Sequence, residues 1–232
     1  MLNRKFTTFN SRTNHSRDVG NKLKKMNRLL ILLFSSFIFL GCNEKRKSDL
    51  VNNYEVKKAE INQVKIKSEK LIPKTYGMRI LFHSSNNIDL SVWKKNENPK
   101  KREYLFSQRE MNPFKFDESK NNKNEYLAFE TLKKKLNWTN NTFKKIEELL
   151  DNANCIGFDL RLNRKNEKRF EITYGYNYPG VYSYILFENN LLNNEIEEYN
   201  DGCYYVYAEK NVVFHYVGGA FGMQCFEDYE RK

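Results

Sequence analysis

The sequence predicts an α+β fold: an antiparallel β-sheet of hairpins with two helices packed on one face. Three observations lead there. Short runs of alternating apolar and polar residues stand before and after one block of helical periodicity. Turn-forming clusters separate those runs at hairpin spacing. Aromatic residues make up 15% of the chain and crowd its last third, as a pleated surface favours.

Taken in order, residues 78–82 (MRILF) and 88–93 (IDLSVW) read as a first hairpin around Ser84-Ser85-Asn86-Asn87. Residues 105–124 show no clear period and contain Pro113 and the run SKNNKN, so a long loop is expected. Tyr126, Phe129, Leu132 and Leu136 fall at helical spacing. Thr139 is placed to cap a second helix over 140–152, whose apolar face is Phe143, Ile146, Leu149 and Leu150. Residues 155–162 and 169–176 flank the polar turn NRKNEK, and 182–188 adds a third strand. Residues 191–202 form a connection with some helical character. Residues 203–209 and 212–217 turn about Lys210-Asn211 as the tightest hairpin signal, and 221–226 suggests a last short strand.

The N-terminal part has a different character. Met26 to Cys42 reads MNRLLILLFSSFIFLGC: basic residues, an apolar run over 29–40, a glycine and a cysteine. A run of about twelve apolar residues has signal-peptide length, and a membrane span needs about twenty. A core helix would be amphipathic, and this run is apolar on all sides. The segment resembles the export signal of bacterial lipoproteins, with Gly41 as the small residue before the cysteine. Phe39 and Leu40 depart from the family pattern, which bears on processing efficiency. The resemblance covers residues 26–42 only. It implies diacylglycerol on the Cys42 sulfur, cleavage before Cys42, and a bacterial cell-envelope location with a membrane contact through the N-terminal lipid. Residues 1–25 are polar and basic, and either Met1 or Met26 can start translation. The expected organisation is an extension and signal over 1–41, an acylated Cys42 with a charged tether over 42–75, and one α+β domain over 76–232. Within the tether, Leu50, Tyr54, Ile61 and Val64 are scattered apolar residues at partly helical spacing, while QVKIK alternates like a strand, so a tether with a marginal helix is expected.

The formal charge of +11 invites a nucleic-acid reading, but residues 1–41 alone carry about +7, leaving about +4 for the rest. A solvated lysine-asparagine surface accounts for that balance, and nucleic acid is not expected as a partner. Removing Cys42 leaves Cys155, Cys203 and Cys225, enough for one bridge. Cys203 and Cys225 bracket the last hairpin and are the favoured pair, against three free thiols. The chain has no CxxC, CxxH or HExxH spacing, so no metal or other cofactor is expected.

Three constellations could carry function. With Glu209 opposite Val212 and regular pairing, Tyr205, Tyr207, Phe214 and Tyr216 would share one face, an aromatic surface suited to a protein or an envelope component. The alternative is that core-covering helices bury it. His83 and His215 are the histidines of the exported part. Cys225 with His215 and Asp228 is the least unfavourable nucleophile set, against a structural histidine and cysteine. Gly218-Gly219-Ala220-Phe221-Gly222 lacks the following Lys-Ser/Thr of a phosphate loop and reads as a bend. Glu147-Glu148 and Glu197-Glu198 read as solvated faces. The expected function is a non-catalytic, membrane-anchored binding module for a protein or envelope component, an immunity-type inhibitor being one form. The alternative is an envelope hydrolase using Cys225 and His215.

Overall fold

A computed structural model describes residues 42–95, 103–120, 126–162, 168–177, 180–218 and 226. Its compact unit runs from Arg46 to Lys232. The elements are α1 (Cys42–Leu71), β1 (Tyr76–Ser84), β2 (Asn87–Lys94), β3 (Glu103–Met111), a 3-10 turn (Glu118–Lys120), α2 (Phe129–Leu136), α3 (Asn140–Asn152), β4 (Gly157–Leu162), β5 (Lys168–Asn177), β6 (Gly180–Phe187), α4 (Asn193–Glu198), β7 (Tyr205–Glu209) and β8 (Val212–Val217). The strands form one antiparallel sheet in the order β3-β2-β1-β4-β5-β6-β8-β7. The α+β class is therefore the observed one, with four helices among the described residues where two were expected.

Alternation along each strand decides which side chains meet the helices. Met78, Ile80 and Phe82 of β1, Phe158 and Leu160 of β4, Phe170 and Ile172 of β5, and Tyr182, Tyr184 and Leu186 of β6 join α1, α2 and α3 in one core. The opposite parity faces the other way. There, Ile185, Phe187 and Val213 form a smaller cluster with Leu191, Tyr199, Tyr205 and Tyr207. The three longer helices thus cover one face, and the segment carrying Leu191 and Tyr199 covers part of the other.

Strand β4 can approach β1 only because residue 157 is glycine. A Cβ there would lie 2.4 Å from the Ile80 carbonyl oxygen, a backbone atom with no room to yield. Helix α2 ends at Asn137 in the left-handed region, φ 56°. Thr139 precedes α3 in extended conformation, as expected of its cap, and its N–H donates to Thr142 Oγ1 at 3.1 Å.

Three expectations need correction. The segment over 42–75, expected as a tether with a marginal helix, is mostly one long helix whose inner face is buried in the core. Leu50, Ile61 and Val64 are fully buried and Tyr54 is 2% exposed. Their spacing of four, seven and three residues places them on one helical face, and Ser68 continues it. Asn53 Nδ2 donates to the Ala153 carbonyl at 3.1 Å and to Tyr184 Oη at 3.0 Å, and Tyr184 Oη donates to the Leu50 carbonyl at 2.9 Å. The helix is kinked at Lys57, where φ is −115°.

The expected loop over 105–124 contains strand β3. Its pairing with β2 shifts register twice, and Glu110 takes φ 50°. Such bulges break the period-two pattern by which a strand is read.

The last hairpin keeps Glu209 opposite Val212, but a bulge between Tyr207 and Glu209 shifts the rest. Tyr205 faces His215, Val206 faces Phe214 and Tyr207 faces Val213. One extra residue exchanges the two faces of β7. The four-residue aromatic stripe therefore does not exist: Phe214 and Tyr216 are buried in the main core, while Tyr205 and Tyr207 lie on the opposite face.

Among the described residues, no helix is long and apolar enough to cross a membrane.

Candidate functional site

The sheet face away from the three longer helices carries a buried charge network. Its origin is local. In β4 the sequence Asp159-Leu160-Arg161 alternates charge with an apolar residue, and in β5 Arg169-Phe170-Glu171 does the same. Pairing sets Asp159 opposite Glu171 and Arg161 opposite Arg169. Like charges directly opposite repel, so the contacts run diagonally. Arg161 Nη2 reaches Glu171 Oε2 at 2.8 Å and Asp159 Oδ2 at 3.2 Å, and Arg169 Nη2 reaches Glu171 Oε2 at 3.1 Å.

The other oxygen of Glu171 faces β6 and β8. Ser183 Oγ donates to Glu171 Oε1 at 2.7 Å, and His215 Nδ1 lies 2.7 Å from the same oxygen. An ionised carboxylate only accepts, so Nδ1 carries the proton in this contact. The His215 ring is stacked on Tyr205, with centroids 4.7 Å apart and planes 7° apart. Burial alone would raise the Glu171 carboxyl. The His215 hydrogen bond, helped by Arg169 and Arg161, outweighs it and holds the group well below the usual carboxylate range. Burial works against the charge of Arg161, but Asp159 and Glu171 overcome it and raise that guanidinium further.

The geometry bears directly on the hydrolase alternative. In a nucleophile–base–acid relay, the nucleophile and the acid bind opposite nitrogens of the histidine. Here Ser183 lies 3.2 Å from Nδ1, the nitrogen that Glu171 engages, and Ser183 is 1% exposed. Ser183 donates to the carboxylate, so its proton is not positioned for transfer to His215. Cys225 and Asp228 lie outside the described residues. Cys203 is disulfide-bonded, and its expected partner Cys225 is among the undescribed positions.

Cys155 is a free, buried thiol whose pKa burial pushes up to about 12, so it is no ready nucleophile. It lines a hollow of about 260 Å³ with Asp151, Asn154, Ile156 and Tyr174. A larger hollow of about 610 Å³ lies beside α3, between Ser85, Asn86 and Phe114 on one side and Lys144, Glu147, Glu148 and Asp151 on the other. Glu147-Glu148 therefore borders an open groove, while Glu197-Glu198 sits on α4, which buries no residue. His83 Nε2 pairs with Asp89 Oδ1 at 3.1 Å on the surface. Among the described residues, no group of three His, Cys, Asp or Glu could hold a metal ion.

Seen from solvent, the network is layered. Asp159 and Glu171 are each 7% exposed, whereas Arg161 keeps a third of its side chain in water. Arg79, directly opposite Asp159, and Arg109 are exposed. The carboxylates and Arg169 lie beneath, and Arg161 reaches toward solvent above them. Sequence reading passed over Asp159, Arg161, Arg169, Glu171 and Ser183. The signal available was charge at every second position of two paired strands, a pattern that normally marks a solvated face.

No family model, curated protein or solved structure matches this chain.

Proposed function

We propose that this chain is a lipid-anchored, non-catalytic interaction module of the bacterial cell envelope, docking a protein partner with an acidic surface on the guanidinium-bearing face of the sheet. The observation that carries the binding part is the layering around Glu171: the buried carboxylates of Asp159 and Glu171 hold Arg161, which keeps a third of its side chain in water, beside the exposed Arg79. A guanidinium held this way loses less rotamer freedom on meeting a carboxylate than a free one. Convergence of Ser183 and Glu171 on one nitrogen of His215 favours a structural role for that histidine over a catalytic one. The address rests on residues 26–42 and their resemblance to a lipoprotein signal.

A photo-crosslinking residue at Ser91, which neighbours Arg79 across the β1–β2 pair, tests the face. In cells it should give one defined protein adduct, and Arg79→Glu with Arg109→Glu should abolish it. No adduct, or an adduct indifferent to both charge reversals, contradicts the proposed face.

A further inference from the structure

A bulge in β5 decides what the docking face offers next to its arginines. The pairing of β5 with β6 slips by one residue between Thr173 and Gly175, and such a slip exchanges the faces of a strand. Unbroken alternation from Phe170 and Ile172 would send Tyr176 into the main core. The bulge turns it to the Glu171 side instead, where it pairs with Val181, and Val181 pairs with Val217. The two valines share that face with Ser183 and His215 by alternation. Tyr176 is 37% exposed, Val217 is 47% exposed and Val181 is half-buried.

The Tyr176 hydroxyl is hydrogen-bonded to Arg79 of β1, and the charge of Arg109 on β3 also reaches it. Strand β4 lies between β5 and β1. At that place it presents Gly157, paired with Leu81 and Thr173, which has no side chain to block the reach. A guanidinium has donors and no acceptor, so Tyr176 Oη accepts from Arg79 and keeps its own O–H to donate. Burial raises the hydroxyl against the pull of the arginines, so the proton stays on. Asp89, the carboxylate in the same field, is engaged elsewhere: the Glu110 N–H donates to its Oδ1 at 2.9 Å, and His83 Nε2 lies 3.1 Å from that oxygen. The face thus carries one strip of changing character. It is cationic at Arg109 and Arg79, a hydroxyl donor at Tyr176, and aliphatic at Val181 and Val217.

We propose that Tyr176 is the central contact of the docking face, and that the partner segment it meets carries a carboxylate beside an apolar side chain. The proposal rests on the reading of this face as a dock for an acidic protein and narrows the partner's chemistry. The carboxylate accepts from Arg79 and from the Tyr176 O–H, and the apolar neighbour covers Val181 and Val217. Tyrosine and arginine are the residue types that concentrate binding energy at interfaces. A ring already held by a hydrogen bond has less rotamer freedom to lose on binding. An acidic segment without the apolar neighbour leaves the valines wet and gains little beyond exposed charge pairing, which is weak in water.

The test uses the full chain, immobilised, with random peptides displayed on phage as the probe. Enriched peptides should hold Asp or Glu next to Leu, Ile, Val or Phe, and fluorescent copies of them report affinity. Tyr176→Ala should weaken their binding about tenfold or more. Tyr176→Phe, which removes only the donating O–H, and Val217→Ser should each weaken it several-fold. Val56→Ser, at a position 76% exposed on α1, should leave it unchanged. Thermal unfolding of each variant checks that its fold is intact. Peptides that are lost with Arg79→Glu and Arg109→Glu, yet tolerate Tyr176→Ala or Val217→Ser, overturn this inference and leave the docking face standing. Peptides indifferent to both charge reversals, or none enriched over the bare support, overturn the face and the inference together.

Discussion

His215 on β8 and Glu171 on β5 meet at 2.7 Å across the intervening strand β6. Ser183 of β6 fills the gap and donates to the same carboxylate oxygen. One carboxylate thereby ties three neighbouring strands, and β4 joins through Arg161.

Removing that charge should be costly. Glu171→Gln leaves Arg161, Arg169 and His215 facing a neutral amide, and breaking a buried pair from one side costs about 3 kcal/mol or more. The carboxyl is held below its usual range in the folded protein. Its stabilising contribution is therefore complete above the unfolded carboxylate range, near pH 4.3, and is lost as pH falls toward the folded value. Urea unfolding between pH 3 and 7 should show a steeper acid decline in the parent protein than in Glu171→Gln. Parallel curves would mean that Glu171 is not the linked group.

The exchange of faces in the last hairpin is checked by two aromatic truncations. Phe214 is 1% exposed and packs edge-on against Tyr54, with ring centres 5.3 Å apart. Phe214→Ala should cost about 3–5 kcal/mol. Tyr204→Ala, at a position 38% exposed, should stay within about 1 kcal/mol. A Phe214→Ala cost as small as that of Tyr204→Ala in chemical unfolding would contradict the place of Phe214 in the core.

Helix α1 should behave as part of the core. Leu50→Ala removes a fully buried side chain and should destabilise the domain by about 2–5 kcal/mol. A flexible tether predicts no change. Thermal unfolding of the variant and the parent distinguishes the two.

The bonded state of Cys203 should appear as a peptide linked to Cys225 in a non-reducing digest, with Cys155 alkylated only after unfolding. Reduction should lower stability by about 3 kcal/mol, the value for a loop of this length in the chain-entropy model. A Cys203–Cys155 peptide would contradict the pairing.

Those residues also show what the sequence made legible. Helices α2 and α3 could be read because Phe129, Leu132, Phe143 and Ile146 keep a clean helical period, and all four are buried. Helix α1 was legible only as a marginal helix, because dense charge on its outer faces masked the inner face that Leu50, Tyr54, Ile61 and Val64 mark. Strand β3 and the faces of β7 were misread for one shared reason. A bulge adds a residue without leaving a composition signal, and each inverts the side-chain alternation beyond it. The Glu171 network was invisible because its burial depends on strands far apart in sequence, His215 standing 44 positions after Glu171.

The central claim is the anchor, and intact-mass analysis of the N-terminal peptide recovered from the membrane fraction tests it most directly. The account predicts that the mature chain begins at Cys42 and carries diacylglycerol on its sulfur, and that Cys42→Ser moves the protein out of the membrane fraction. A mature protein in the soluble fraction with an unmodified Cys42 thiol would contradict it.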